Sequence, residues 1–176
     1  MDVFEAVRAR RSTRTFTAKR IPKSDLDKMV GAGRLAPSAT NRQMWDFIVI
    51  TETAILGEIL KHFHAGRGYG TYEDGKFDGI SVIIAVIMDD SNQYWREDGA
   101  AAAENMLLAA RALGWGSCWI EGQMRPHEEH FKELLDIPEQ NRILLMIALG
   151  EPKRWSPSPS KRSLSQVLHW ERYRKS

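Results

Sequence analysis

Two stretches restrict the fold of this chain more than any others: ISVIIAVIM at 80–88 and RILLMIALG at 142–150. Both carry apolar runs without polar alternation, so neither suits a strand with one face in water. Both are also far short of the roughly 20 residues that span a bilayer. They are expected to be buried strands, with ISVIIAVIM covered on both faces at the centre of a sheet.

Helical patterns and further strands surround them. Asp2 is placed to cap a first helix whose Val3, Phe4 and Val7 share a face and which ends near RRS. Ser24 is the expected cap of a second helix, SDLDKMVGAGRLA, with Asp27 at the capping-box position and Pro37 beyond its end. DFIVIT (46–51) reads as a strand and ETAILGEILKHF (52–63) as a helix, followed by the glycine-rich AGRGYGTYEDGKFDG (65–79), a loop. In YWREDGAAAAENMLLAARALG (94–114), Ala103, Met106, Leu107, Ala110 and Leu113 line one side of a long core helix, with Gly114 as its C-cap. GSCWIEG (116–122) is an expected strand running into a turn, and PHEEHFKELLDI (126–137) a short helix. KRWSPSPSKRS is too polar and proline-rich for an internal element, so residues 151–176 are expected to form an arm ending in the apolar-aromatic LSQVLHWERY. This order of elements indicates an α/β-type layered domain spanning residues 1–176.

Composition narrows the function. With 43% hydrophobic residues over 176 positions, the chain has material for a real core. Its 25 basic and 23 acidic residues nearly balance, which argues against nucleic acid as a partner. MDVFEAVRARR has no apolar signal core, so neither a membrane partner nor export is expected, and the cytoplasm is the expected location. The lone cysteine, Cys118, stands between apolar neighbours and is read as a buried thiol.

Several motifs fall away. GRGYG at 66–70 lacks dinucleotide-turn spacing and follows a helix instead of a strand. No GxSxG elbow is present. HEEH at 127–130 offers two imidazoles three positions apart with no marked third ligand, so it is read as a solvated helix face and not a metal site. His62 and His64 lie near a helix end, where a cation suits the dipole.

Two other segments remain. RRSTR at 10–14 gathers three guanidinium groups and two hydroxyls at a helix exit, a set suited to phosphate, although arginine clusters are commonly plain surface. PSATNRQ at 37–43 is a string of loop formers. Together with EAVRARRSTRTF, LAPSATNRQMWDFIVI, DGAAAAENMLLAARALGWGSCWIEG, LLMIALGEP and SKRSLSQVLHW, they make the chain resemble the nitroreductase family of flavin mononucleotide (FMN) enzymes over nearly its whole length.

The resemblance implies an α+β fold: a mostly antiparallel or mixed sheet flanked by helices, with the C-terminal arm reaching over a dimer partner. It implies FMN at the interface of a homodimer. The phosphate would be held by Arg10, Arg11 and Ser12 with Lys161 and Arg162, and Arg14 would face the N1 edge of the flavin. Pro37, Ser38, Ala39, Thr40, Asn41 and Gln43 would come from the opposite subunit. Ile120, Glu121 and Gly122 would lie along the ring, with a backbone N–H near N5. No side chain is nominated as catalytic, because in this chemistry hydride passes from NADH or NADPH to the flavin and on to a nitroaromatic, quinone or similar small oxidant, in ping-pong order. A reductive dehalogenase, a flavin-consuming oxygen enzyme and a non-catalytic flavin-storage protein are the alternatives. Larger relatives carry extra helices where this chain has only residues 65–79, in which Arg67, Tyr69 and Tyr72 are candidate flavin-edge contacts.

Overall fold

The structure, a computed structural model, describes residues 1–65 and 77–174. Helix α1 (Val3–Ala9) starts at Asp2, whose carboxylate accepts the Glu5 N–H while the Glu5 carboxylate accepts the Asp2 N–H. Its Val3, Phe4 and Val7 side chains are all more than half exposed. Helix α2 (Lys23–Arg34) begins two residues earlier than a Ser24 cap predicts. Pro22 is its N-cap, and its carbonyl accepts from Asp25 and Leu26. Ser24 therefore falls inside the first turn, and Asp27 pairs with Lys23 at 2.8 Å instead of capping. The third helical residue, Asp25, turns to the Trp115 indole N–H at 3.0 Å.

Strand β1 (Trp45–Ile50) and helix α3 (Thr53–Ala65) follow, then β2 (Val82–Asp89), α4 (Trp95–Ala112), β3 (Gly116–Ile120), α5 (Glu128–Leu134) and β4 (Asn141–Gly150). The sheet order is β1-β2-β4-β3, and each neighbouring pair is antiparallel. Both apolar runs thus occupy the two central positions. Alternation then sends Val82, Ile84, Val86, Leu145, Ile147 and Leu149 to one side, onto α2 and α4. Ile83, Ala85, Ile87, Met146 and Ala148 go to the other, with α3 and α5. Each strand is apolar throughout because each face meets its own layer of helices. A bulge at Val86/Ile87 interrupts the β2–β4 register and leaves Leu144 without a partner. Leu144 packs on the same side as Leu145, where Gly99 of α4 meets it. A Cβ at Gly99 would run into Leu144 and lie 2.8 Å from Met88 Sδ, so the small residue sets how closely α4 approaches the sheet.

Ala103, Met106, Leu107 and Ala110 are buried as their spacing predicts, and Leu113 packs at the margin of the core. Leu113 is itself the C-cap of α4, and Gly114 follows it with a φ of 88°, the left-handed turn that glycine adopts without a Cβ penalty. Glu128, only 5% exposed, receives Arg142 Nε and Nη2 at 2.8 Å each and the Ile143 N–H at 3.0 Å, so this buried charge is fully partnered. No described helix is long and apolar enough to cross a membrane.

Candidate functional site

The arginine segment is fastened to the sheet. Ser12 forms a parallel bridge with Ser117 of β3, and the Thr13 N–H donates to the Ser117 carbonyl at 2.8 Å. Thr13 is buried against Gly116, where a Cβ would stand 2.9 Å from the threonine methyl. The neighbouring side chains therefore turn outward. Arg10, Arg11 and Ser12 are half-buried and Arg14 is exposed. Arg10 meets Glu104 of α4 at 3.3 Å. Arg11 donates to the Arg10 carbonyl at 2.6 Å and to Ser158 Oγ at 2.5 Å. Arg14 donates weakly to the Ser12 carbonyl at 3.4 Å. Burial pushes the Cys118 thiol above its ordinary range, and the charges of Arg14 and Arg10 oppose that shift. Cys118 is 2% exposed, as its apolar neighbours suggest.

The arm passes the same segment. Ser156 Oγ donates to the Ser12 carbonyl at 3.1 Å, and Ser158 holds Arg11. Lys161 and Arg162 follow on the exposed arm, just before a 3-10 turn at Leu164–Gln166. Beyond them, Leu168, Trp170 and Tyr173 remain exposed, the last two by more than 70%.

At the far end of β3, the chain turns at Glu121, whose carbonyl accepts from Met124 and Arg125 and whose carboxylate pairs with Arg125 at 2.5 Å. The Ile120 side chain is 1% exposed and belongs to the core, so only its backbone is available to a ligand. Gly122 is exposed, and a Cβ built there meets nothing within 4 Å. A flat group has room to lie against this backbone.

Residues 37–43 are built differently. Ala39–Asn41 form a 3-10 turn in which Thr40 and Asn41 have φ values of 53° and 57°, and Gln43 has 53°. Three left-handed residues that are not glycine, one of them β-branched, hold this loop in a costly conformation. Short bonds maintain it: Gln43 N–H to Ser38 Oγ at 3.0 Å, Thr40 Oγ1 to the Ala39 carbonyl at 2.7 Å, and Gln43 Nε2 to the Asn41 carbonyl at 3.2 Å. The external anchor is Asp98 of α4, 6% exposed, which accepts the Ala39 N–H with both oxygens at 3.1 and 3.2 Å. Pro37, Thr40, Asn41 and Gln43 are exposed, and Ser38 and Ala39 partly so.

Both segments therefore rest on α4, one at Glu104 and one at Asp98. Six residues of α-helix separate these anchors by about 9 Å of rise and about 120° of rotation. Among the described residues, no hydrogen bond or ion pair joins the two segments directly. Arg67, Tyr69 and Tyr72 lie outside the described residues.

Reasoning from sequence missed four supporting residues: Asp98, Glu104, Ser156 and Ser158. Asp98 left a signal, since it stands one turn before Ala102 and two before Met106 on the apolar side of α4, where a carboxylate needs a donor. The two serines left none, because their partners are more than 140 positions away.

A groove of about 750 Å³ opens beside Ile21, Leu26, Val49, Leu56 and Ile80, and none of its lining residues belongs to the expected flavin set.

Comparison with known proteins places the chain in a family. The chain matches the Nitroreductase family over residues 7–151. An Archaeoglobus fulgidus protein provisionally named NADH dehydrogenase/NAD(P)H nitroreductase is 36% identical over 160 residues, 86% of each chain. The crystal structure of a Bacteroides fragilis nitroreductase with bound FMN superimposes with a TM-score of 0.79 at 27% identity, covering 96% of this chain and 98% of that one. A Desulfovibrio desulfuricans protein, provisionally a nitroreductase and solved in complex with FMN, gives 0.80 at 28%, covering 99% of both. With the family match covering residues 7–151 and a relative 36% identical over 86% of its length, the chain belongs to the nitroreductase family.

Proposed function

We propose that this chain is an FMN-dependent NAD(P)H oxidoreductase, a homodimer that binds the flavin between its subunits and reduces a small oxidant such as a nitroaromatic or a quinone. The observation that carries this reading is the outward-facing set Arg10, Arg11, Ser12 and Arg14, pinned by backbone pairing to the strand that ends in the open backbone at Gly122. Two relatives of the same fold are solved with FMN.

The donor set fits the cofactor. Charge-assisted hydrogen bonds from Arg10, Arg11 and Ser12 suit the phosphate dianion, with Lys161 or Arg162 reaching it from the arm. Arg10 pairs with Glu104 at 3.3 Å, a surface contact that a phosphate dianion would compete with. Arg14 places a positive charge at the pyrimidine edge of the ring, where negative charge gathers on reduction. Glu121 and Gly122 give the ring a backbone surface and an N–H at N5. Bound FMN supplies the two-electron carrier between nicotinamide and oxidant, so no side chain of this chain is required as acid or base.

Two features support the second subunit. The 37–43 loop and the arginine segment point from α4 about 120° apart, so residues of a partner's loop complete each flavin site. The exposed Val3, Phe4 and Val7 of α1 and Leu168, Trp170 and Tyr173 of the arm supply apolar surface for the partner to cover.

The test begins with the purified protein. Denaturing it and chromatographing the released flavin should yield FMN, and anaerobic NADH or NADPH should bleach the visible flavin absorbance. Release of FAD, or no uptake of added FMN by the apoprotein, overturns the cofactor. Bound flavin that neither nicotinamide bleaches makes the chain a storage protein instead of a reductase.

A further inference from the structure

The HEEH stretch, read from its spacing as a solvated helix face, acquires a third and a fourth member in space. Glu58 and His62 stand one turn apart on α3, and His62 lies in the last turn of that helix. His127 closes the 3-10 turn Arg125–His127, and His130 is in the first turn of α5. The His62 ring lies 4.5 Å from that of His130 and 4.6 Å from that of His127, centroid to centroid, and all three pack around Phe131.

We propose that Glu58, His62 and His130 bind a divalent late first-row metal ion, with Zn²⁺ the natural occupant, and that the ion clamps α3 to α5. The ligand atoms of these residues all lie within 4.8 Å of one another. Glu58 Oε1 is 3.5 Å from His62 Nε2 and 3.6 Å from His130 Nε2. Around a tetrahedral zinc with bonds near 2.0–2.1 Å, neighbouring ligand atoms stand about 3.3 Å apart, so two of the three edges need only a few tenths of an ångström of adjustment. Two imidazoles and one carboxylate form a donor set for zinc, cobalt, nickel or copper, whereas calcium and magnesium prefer all-oxygen sites. Three protein ligands leave a fourth position for water.

The surroundings orient these ligands. Lys61 holds Glu58 Oε2 at 2.7 Å, which leaves Oε1 to face the imidazoles. The C-terminal end of α3 favours a cation, and His62 and His130 are 27% and 43% exposed, so an ion can enter from solvent. His127 packs on His62, with ring centroids 4.6 Å apart, and so holds that imidazole in place. Glu129 is turned away to Lys132 at 3.3 Å and Glu128 to Arg142, which leaves Glu58 as the cluster's carboxylate among the described residues. The proposal is independent of the flavin.

Calorimetric titration of the chelator-dialysed protein, as purified, with zinc chloride tests it. One Zn²⁺ per chain is expected, with a rise in the melting temperature. His62→Ala and His130→Ala should each weaken binding at least about tenfold. The double substitution should abolish it, and His169→Ala, in the arm, should leave it unchanged. Because His130 is at the surface, His130→Ala keeps the test decisive even if His62→Ala does not fold. Wild-type protein that takes up no zinc at a hundred-micromolar concentration, or binding that survives His130→Ala undiminished, overturns the site.

Discussion

The sheet with its two helical layers and the surface made by α1, residues 37–43 and the C-terminal arm differ in what they leave facing water. In the sheet, Ile83, Ile84, Ala85 and Val86 are fully buried and even the charge of Glu128 is matched by Arg142 and the Ile143 N–H. Outside it, Val3, Phe4, Trp170 and Tyr173 are exposed by 61 to 79%, and Thr40, Asn41 and Gln43 keep left-handed backbone. Apolar area removed from water is worth roughly 25 cal/mol per Å², so the first region is stable as one chain. On the proposed function, the second region would gain most of its stability from a partner and a ligand. Substitutions in the two regions should therefore differ in whether FMN and protein concentration change their effect.

The largest effect belongs to the self-contained region. Glu128→Ala leaves Arg142 without its carboxylate and should cost about 3 kcal/mol, the lower end for breaking a buried pair because Arg142 is 38% exposed. Chemical denaturation should show this loss equally at low and high protein concentration. Burial raises the Glu128 pKa, but Arg142 and the Ile143 N–H lower it further, to a net position below the ordinary 4.5. A carboxyl with a depressed folded pKa adds stability above its unfolded pKa and loses it as pH falls through the folded value. Wild type should therefore lose stability below about pH 4.5 more steeply than Glu128→Gln. Equal acid profiles would remove Glu128 as a stabilising charge.

Truncation before Ser156 tests the other region. It removes the Ser12 and Arg11 contacts together with the exposed apolar tail. The dimer should dissociate or aggregate, and flavin occupancy should fall with it. In the intact protein, FMN at a hundredfold excess over Kd should stabilise the assembly by about 2.7 kcal/mol, and the truncated chain should lose most of this. Analytical ultracentrifugation with and without FMN measures both. A monomer that holds stoichiometric flavin would show that one chain builds the whole site.

Next come single contacts. Arg10→Ala should weaken FMN binding by about 1.5–3 kcal/mol, the range for a hydrogen bond to a charged group. Arg14→Ala should act mainly on the flavin reduction potential, lowering it because the reduced ring loses its cation. Spectroelectrochemistry beside a binding titration separates the two, and equal changes in both quantities for both variants would end the division of roles. Asp98→Ala removes the acceptor of the Ala39 N–H, so it should weaken FMN binding by a similar amount although Asp98 itself is buried away from the ligand.

The smallest effect is expected at Thr40. A β-branched residue at φ 53° carries a conformational cost that glycine relieves, offset in part by the larger entropy glycine loses on folding. Thr40→Gly should raise apoprotein stability by at most about 1 kcal/mol and slightly weaken FMN binding by loosening the loop. A lower melting temperature without FMN would mean that the left-handed backbone here carries no strain.

Much of this was legible in the chain. Every strand and long helix lies within a few residues of its expected place, because hydrophobic period and capping chemistry act over neighbours. The misplaced cap at α2 is also local in origin: Pro22, two residues before Ser24, caps the helix and fixes its start. The arginine segment was legible as chemistry, since three guanidinium groups and two hydroxyls at a helix exit suit an anion wherever they lie. Its supports were not, because Asp98, Glu104, Ser156 and Ser158 act on partners remote in sequence.

By itself, then, the sequence determined that two apolar runs are buried strands, one of them expected at the centre of the sheet, which residues gather positive charge suited to an anion, and which family the chain resembles. Only the tertiary structure decided that those strands run antiparallel, since an apolar run has the same pattern in either direction. It also decided that Asp98 anchors the 37–43 loop and that His62 meets His127 and His130. The reason is one of range: side-chain character and periodicity are written over a few residues, whereas pairing direction and ligand clusters depend on which distant surfaces burial presses together.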